Sequence, residues 1–159
     1  MLEYTEEALA ELNKLSEKYP DKKSLTLPLL HLSQKEFGYV SAEVIDLVAK
    51  TLDVTNAHVE GVATFYTMYD KKKIGKYHFQ MCCNIGCFLN GSDEYFEYLS
   101  QKTGIKNGET TDDSAISITK VECLGACGSA VILQVNDEYH ENITKAKIDE
   151  LIDVALTNS

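Results

Sequence analysis

Basic residues are scarce in this sequence. Its 159 residues contain 15 Lys and Arg against 25 Asp and Glu, which gives a formal net charge of −10. A nucleic acid partner needs clustered Lys and Arg to contact its phosphates, so the charge argues against nucleic acid binding. The single basic run, Lys71–Lys73 with Lys76 close by, is typical of a solvated linker.

Long apolar stretches and targeting signals are missing as well. No apolar run approaches the roughly 20 residues that span a bilayer. The N-terminus carries early acidic residues, unlike a signal or transit peptide. We therefore expect a soluble, intracellular protein without direct membrane insertion. Apolar residues still make up 44% of the chain, which predicts a folded core rather than wholesale disorder.

Glycines and histidines do not form the patterns that bind nucleotides or metals. No two of the nine glycines form the G-x-G of a dinucleotide fingerprint, and the sequence has no P-loop. The histidines are scattered, so each is interpreted as a packing or surface residue: His31, His58, His78 and His140.

The first 70 residues predict four short helices. Thr5, Ser41 and Thr55 stand where helix N-caps are expected, because a side-chain oxygen there can accept a free backbone N–H group. The remaining helix is predicted over 25–37 and ends at Gly38.

After residue 70 the pattern changes to that of a small two-layer α/β domain. Alternating residues predict a strand over 77–82, and a helix capped by Thr144 is predicted to turn five apolar residues inward: Ile148, Leu151, Ile152, Ala155 and Leu156. Further elements are predicted in the order helix 92–103, strand 116–122, strand 130–135 and strand 138–140. The sequence therefore predicts an α+β protein, with a helical domain over 1–70 and a second domain over 71–159.

The five cysteines lie in two tight groups, both in the second half. The first group is Cys82-Cys83-Asn84-Ile85-Gly86-Cys87, and the second is Cys123-Leu124-Gly125-Ala126-Cys127. Each group follows a predicted strand and contains glycine, which lets backbone N–H groups approach sulfur atoms closely. An odd number of cysteines without a secretion signal disfavours a disulfide framework, so we expect one thiol site.

The spacing of the thiols favours an iron–sulfur site over two other kinds of site. Structural zinc sites and redox dithiols both usually have two residues between their cysteines, the C-x₂-C pattern. The spacings here are instead C-x₄-C and C-x₃-C. Spacing alone leaves both [2Fe–2S] and [4Fe–4S] clusters open. Spacing also does not exclude Cys83 as a ligand, because Cys83 and Cys87 form a C-x₃-C pair. Strand alternation sends Cys82 and Cys83 to opposite faces, and Cys83 is interpreted as a small buried residue.

Two parts of the sequence together resemble a known family. The cysteine pattern resembles that of the thioredoxin-like [2Fe–2S] ferredoxins: Cys82-x₄-Cys87, then thirty-five residues, then Cys123-Leu-Gly-Ala-Cys127. The helical half is similar to the E subunits of bacterial NADH-quinone oxidoreductases, the small flavoprotein-module subunits of respiratory complex I. That similarity lies in Leu-Pro-Leu-Leu-His-Leu (27–32), Glu-Phe-Gly-Tyr-Val-Ser (36–41) and His-Val-Glu-Gly-Val-Ala-Thr-Phe-Tyr-Thr-Met-Tyr (58–69).

The resemblance implies an N-terminal helical bundle followed by a thioredoxin-like α/β domain. It implies a [2Fe–2S] cluster whose metal and cofactor ligands are Cys82, Cys87, Cys123 and Cys127. It also implies a partner, the subunit of the same complex that carries FMN and binds NADH. The sequence departs from the family in one place: the family usually has a proline a few residues after the last ligand, and this chain has Val131 at that position.

The function expected from this resemblance is electron transfer within an NADH dehydrogenase complex, with no catalytic residue and no turnover by this chain alone. An equivalent subunit of an NAD(P)-linked or bifurcating hydrogenase, or of an NAD-dependent formate dehydrogenase, is the alternative. A zinc-stabilised interaction module is the alternative from another class. Three aromatic residues are interpreted as ordinary core or interface residues, and as candidates for contacting the flavin-bearing partner: Phe65, Tyr66 and Tyr69. The expected location is the cytoplasm, peripheral to the inner membrane through the complex.

Overall fold

The computed structural model describes residues 2–158, and the chain divides into two compact units, Met1–Lys73 and Ile74–Ser159. The first unit is helical, and the second contains a sheet with helices, so the molecule has the predicted α+β class. Between residues 2 and 158, no helix is both long enough and apolar enough to cross a membrane.

The helical unit begins its helices where the sequence predicted. Thr5, Ser41 and Thr55 each accept a backbone N–H with their side-chain oxygen, which satisfies a donor that the first helical turn leaves free. Gly38 ends the second helix with a φ of +86°, a conformation that suits glycine. The helices are α1 Glu6–Ser16, α2 Thr26–Phe37, α3 Ala42–Leu52 and α4 Asn56–Phe65, and a 3₁₀ turn at Lys23–Leu25 leads into α2.

The core of the helical unit lies between α2, α3 and α4. Leu29 and Leu30 of α2, Val48 of α3 and Val59 of α4 are completely buried. Tyr69, after α4, is also buried and donates a hydrogen bond from its hydroxyl to the Leu27 carbonyl, 2.8 Å away. Tyr69 is therefore a core residue of this unit, which is one of the two interpretations that the sequence left open, and its buried side chain is not available to a partner.

The second unit is built on a four-stranded sheet of order β2-β1-β3-β4. The central strand β1 is parallel to β2 and antiparallel to β3, and β4 pairs antiparallel with β3. In chain order the elements are β1 Tyr77–Cys82, α5 Ile85–Leu89, α6 Ser92–Thr103, β2 Ile116–Val121, a 3₁₀ turn Cys127–Ser129, β3 Leu133–Val135, β4 Glu138–His140 and α7 Lys145–Thr157.

Three details of this unit differ from the sequence prediction. A short helix, α5, begins at Ile85 within the first cysteine group, where the sequence predicted no regular element. The strand predicted over 130–135 begins only at Leu133, and the Ala130–Val131 peptide bond before it is cis. Leu156 is exposed, whereas Ile148 of the same helix is buried. Eight residues correspond to about 80° around an α-helix beyond two full turns, which turns Leu156 away from the core.

Candidate metal centre

The carboxyl ends of β1 and β2 meet at one edge of the sheet, and both cysteine groups begin there. Cys82 is the last residue of β1, and its partner Val121 is the last residue of β2, two residues before Cys123. Because these strands are parallel, the segments that follow them leave the sheet at the same place. The fold thus brings together two groups that are far apart in sequence.

The first group supplies two buried thiols, Cys82 and Cys87, which we call the inner pair. Cys82 is 3% exposed, and Cys87 on α5 is 2% exposed. Burial, together with a hydrogen bond to the Cys82 side chain, raises the pKa of the Cys87 thiol to about 11, and a hydrogen bond to the Ile132 backbone acts in the opposite direction.

The second group supplies two exposed thiols, Cys123 and Cys127, which we call the outer pair. Their Sγ atoms are 3.6 Å apart. The backbone N–H of Gly125, a residue with φ +82°, donates to the Cys123 sulfur at 3.4 Å. The Tyr139 hydroxyl donates to the Leu124 carbonyl at 3.0 Å, which connects this loop to β4.

The separation within the outer pair matches two thiolates on one metal ion. A disulfide would place the sulfurs about 2.0 Å apart, far closer than they are. Two thiolates bound at about 2.3 Å to one tetrahedral ion lie about 3.8 Å apart. The observed 3.6 Å is therefore a spacing that a metal ion could occupy with little movement of either side chain.

The inner and outer pairs lie against each other at α5. A methyl group added to Gly86 would be 3.7 Å from Cys127 Cβ and 4.0 Å from its sulfur. The hydrogen bond with Cys123 raises the pKa of the Cys127 thiol, and nearby Cys82 adds to this increase. Within residues 2–158, no three His, Cys, Asp or Glu side chains surround a position for a single ion; the four thiols are instead arranged as two adjoining pairs.

Cys83 has a different environment from its neighbour Cys82. Its thiol donates a hydrogen bond to the Val121 carbonyl at 3.0 Å, and its backbone N–H donates to the same oxygen at 2.9 Å. Cys83 is half-buried rather than fully buried, so the prediction of a buried residue was too strong. Burial first, and then the negative charge of Glu122, raise the pKa of the Cys83 thiol.

Asn84 connects the two cysteine groups and was not identified from the sequence. Its side-chain N–H group donates to Glu122 Oε2 at 3.1 Å. Its side-chain oxygen accepts the backbone N–H of Ile85 at 2.8 Å, at the start of α5. The sequence signal was an Asn between two cysteines, a residue type that favours helix N-caps.

Large apolar side chains are exposed in both units. On α5, beside the inner and outer pairs, Ile85, Phe88 and Leu89 are exposed, with Leu89 at 75%. At the end of α4, Phe65 is 77% exposed and packs edge-to-face on Tyr66 at 5.0 Å. The α5 side chains were not singled out in the sequence, where three apolar residues around Cys87 were the available signal.

Two histidines make the packing contacts that the sequence predicted. His58 hydrogen-bonds Thr26 within the helical unit, with 3.1 Å between Nε2 and Oγ1. His78 on β1 is buried and hydrogen-bonds Thr119 on β2 at 2.9 Å. Burial lowers the pKa of His78 to about 4, so its imidazole is neutral near pH 7.

Comparison with known proteins identifies relatives along almost the whole chain. The family model for thioredoxin-like [2Fe–2S] ferredoxins matches residues 12–155. The E 2 subunit of NADH-quinone oxidoreductase from Rhizobium meliloti (strain 1021) is 41% identical over 143 residues, which cover 90% of this chain and 85% of the relative. The E subunit of NADH-quinone oxidoreductase from Rickettsia felis is 42% identical over 139 residues, which cover 86% of this chain and 83% of the relative.

A solved structure supports the fold. The crystal structure of an NAD⁺-reducing [NiFe]-hydrogenase in the air-oxidized state superposes with a TM-score of 0.70 at 17% sequence identity. The superposition covers 82% of this chain and 23% of the hydrogenase chain, so this protein spans about a quarter of that chain's length. Together with the family model and the close relatives, these findings confirm the resemblance seen in the sequence: the chain belongs to the thioredoxin-like [2Fe–2S] ferredoxin family.

Proposed function

We propose that this chain binds one [2Fe–2S] cluster through Cys82, Cys87, Cys123 and Cys127 and works as an electron-transfer subunit. The observation that carries the proposal is the arrangement of four thiols as two adjoining pairs, with 3.6 Å between the outer sulfurs. A [2Fe–2S] cluster has four cysteine ligands, two on each iron, so two pairs suit it. When bound, the cluster supplies reversible one-electron transfer.

The protein's own residues would hold the site in two ways. The inner pair is set in the apolar core of the second unit, which excludes water from one side of the site. The outer pair is exposed, so the other side is open to an approaching partner. The Gly125 N–H group that donates to Cys123 would offset part of the negative charge that thiolate ligands carry.

We further propose that the partner is the component of an NADH-oxidising complex that binds NADH and carries FMN. The close relatives are named as E subunits of NADH-quinone oxidoreductase, which supports this assignment. NADH gives up two electrons as a hydride, whereas one [2Fe–2S] cluster exchanges single electrons, so a flavin has to stand between them. The chain alone should therefore not oxidise NADH.

Exposed apolar side chains support the assignment to a complex. Phe65 and Tyr66 on the helical unit, and Phe88 and Leu89 beside the thiols, remain in contact with water in the isolated chain. Aromatic and apolar residues of this kind are enriched in the cores of protein interfaces. Through such a complex the chain would lie peripherally at the cytoplasmic face of the inner membrane.

A hydrogenase or formate dehydrogenase subunit is the second candidate within the same chemistry. The fold likeness to an NAD⁺-reducing hydrogenase favours keeping it, although that likeness concerns the fold alone. Isolating the native complex and identifying its other subunits separates these assignments.

The first experiment tests the cluster against a zinc-stabilised interaction module. Protein purified under anaerobic conditions should be reddish-brown and contain about two irons and two labile sulfides per chain. Reduction with dithionite should produce a spin-½ EPR signal. Colourless protein with stoichiometric zinc would contradict the cluster and support the zinc module.

The second experiment tests the role in the complex. NADH–ferricyanide activity is compared for this chain, for the flavin-bearing subunit and for the two mixed together. We expect none from this chain alone and a stable, active complex from the mixture. Phe88→Ser should weaken the complex, whereas Leu156→Ser, which alters an exposed apolar residue on α7, should not. Robust turnover by this chain in flavin-free buffer would overturn the electron-carrier role.

A further inference from the structure

The hydrogen bond between Asn84 and Glu122 lies at a particular place in the sheet. The backbone pairing of β1 with β2 ends with Cys82 opposite Val121, followed by the bond from Cys83 N–H to the Val121 carbonyl. Beyond this point the two chains separate, one into α5 and the other into the second cysteine group. Asn84 and Glu122 are the next residues on each side, and their side chains join the two segments at 3.1 Å.

Asn84 lies close in sequence to the inner pair, and Glu122 lies close in sequence to the outer pair. Asn84 lies between the inner thiols, and its side-chain oxygen and its carbonyl hold the start of α5, the latter by accepting the Phe88 N–H at 2.8 Å. Glu122 directly precedes Cys123 of the outer pair. The contact therefore links the segment that leads to Cys87 with the segment that leads to Cys123.

We propose that Asn84 and Glu122 form a side-chain rung that extends the β1–β2 pairing and sets the spacing between the two cysteine pairs. They are positioning residues, because neither is a ligand and both act through the loops that carry the ligands. The inference rests on the proposed function, since it concerns retention of the cluster. A hydrogen bond to a carboxylate is stronger than one between neutral groups, which suits a single contact that holds two loops.

The test separates the hydrogen bond from the charge of Glu122. Glu122→Gln keeps a side-chain oxygen that accepts from Asn84 but removes the charge, whereas Glu122→Ala removes both. Asn84→Asp keeps the acceptor at the start of α5 but places a carboxylate against Glu122. The double variant Asn84→Asp/Glu122→Gln restores a hydrogen bond with donor and acceptor exchanged. The double variant also has the same net charge as the wild type, so it serves as the charge control.

The measurement is the rate at which the full-length, cluster-loaded chain loses iron to a chelator. The double variant, which keeps a carboxylate in the hydrogen bond, should lose iron at about the wild-type rate, and Glu122→Gln, which keeps the bond without the charge, should lie between the wild type and Glu122→Ala. Glu122→Ala and Asn84→Asp should lose iron about three- to tenfold faster, as expected for a charge-assisted hydrogen bond lost at the surface. The EPR spectrum of the reduced cluster, which reports the iron environment, should change in Glu122→Ala and Asn84→Asp but not in Glu122→Gln.

Each outcome decides the inference. Equal rates for Glu122→Gln and Glu122→Ala, or fast loss in the double variant, would overturn the rung. Lower thermal stability of the metal-free Asn84→Asp chain, with unchanged EPR, would show a general structural role and also contradict the inference. Wild-type protein that takes up no iron and sulfide would overturn the proposed function itself, and the inference with it.

Discussion

The two cysteine pairs are held in different ways, although both come from short segments that contain glycine. The inner pair is buried in the core of the second unit, on the end of β1 and on α5. The outer pair is exposed on a segment whose regular structure is one 3₁₀ turn, and it is held by hydrogen bonds such as the one from Gly125 to Cys123. Core packing therefore fixes one half of the site, and local loop chemistry fixes the other half.

Replacing one thiol of each pair should reveal this difference most clearly. Cys87→Ser and Cys127→Ser should both lose most of their iron, because each removes a proposed ligand. The metal-free chains should differ in stability, because a hydroxyl in the buried Cys87 position costs about 1–3 kcal/mol of unfolding free energy. At the exposed Cys127 position the cost should stay below about 0.5 kcal/mol. Iron analysis and urea unfolding of both variants measure this. Equal destabilisation would contradict the contrast between the pairs.

Acid should lower the unfolding free energy of the unit whose core holds the inner pair. The folded chain keeps His78 neutral until about pH 4, whereas the unfolded chain takes up that proton near the ordinary value of 6.5. The pKa is lowered by folding, so the unfolding free energy falls as the pH drops from 6.5 to 4, by about 3 kcal/mol from this group. Unfolding measured across this range should show the decrease. His78→Gln is the control, and its curve should be flatter by that amount.

The outer pair should respond to a backbone change that leaves the core untouched. Gly125 has a φ of +82° that side chains rarely adopt, whereas Gly128 has an ordinary φ, and a methyl group would meet nothing within 4 Å at either residue. Gly125→Ala should therefore cost about 1 kcal/mol in the loop and speed iron loss several-fold. Gly128→Ala should leave both properties near the wild type. Chelator-driven iron loss compares the two variants, and similar rates would argue against a role for the Gly125 conformation.

Removal of the fifth cysteine should have the smallest effect. Cys83→Ala loses a thiol and one hydrogen bond to the Val121 carbonyl at a half-buried position, so the change should be within about 0.5 kcal/mol. Iron and sulfide content should stay at the wild-type level. If Cys83→Ala loses iron while Cys82→Ala keeps it, Cys83 rather than Cys82 is the ligand and the assignment is wrong. A variant that lacks both Cys82 and Cys83 detects rescue of one of these cysteines by the other.

Local chemistry explains which parts of the fold were predicted from the sequence. The caps at Thr5, Ser41, Thr55 and Thr144 were confirmed because a capping side chain bonds within three residues of itself. α5 was missed because five residues are too few for a helical period to appear.

The site was predictable in composition but not in arrangement. Spacing and resemblance indicated which thiols belong together, yet burial of one pair and exposure of the other depend on the sheet packing around them. The Asn84–Glu122 contact joins residues 38 positions apart, and no local pattern encodes such a contact. Tyr69 similarly looked like its neighbours Phe65 and Tyr66 until the hydrogen bond to Leu27 placed it in the core.

The parallel pairing of β1 with β2 also orders events as the chain folds. Cys82 and Cys87 leave the ribosome well before β2, and the crossover between the two strands, with α5 and α6, separates them from Cys123. Closing that crossover costs entropy before any contact between the pairs repays it. In the folded chain, the pairing of β1 with β2 brings the two cysteine groups to the same edge of the sheet. We therefore expect iron and sulfide to enter a chain whose sheet has already formed, rather than to act as the nucleus around which the chain collapses.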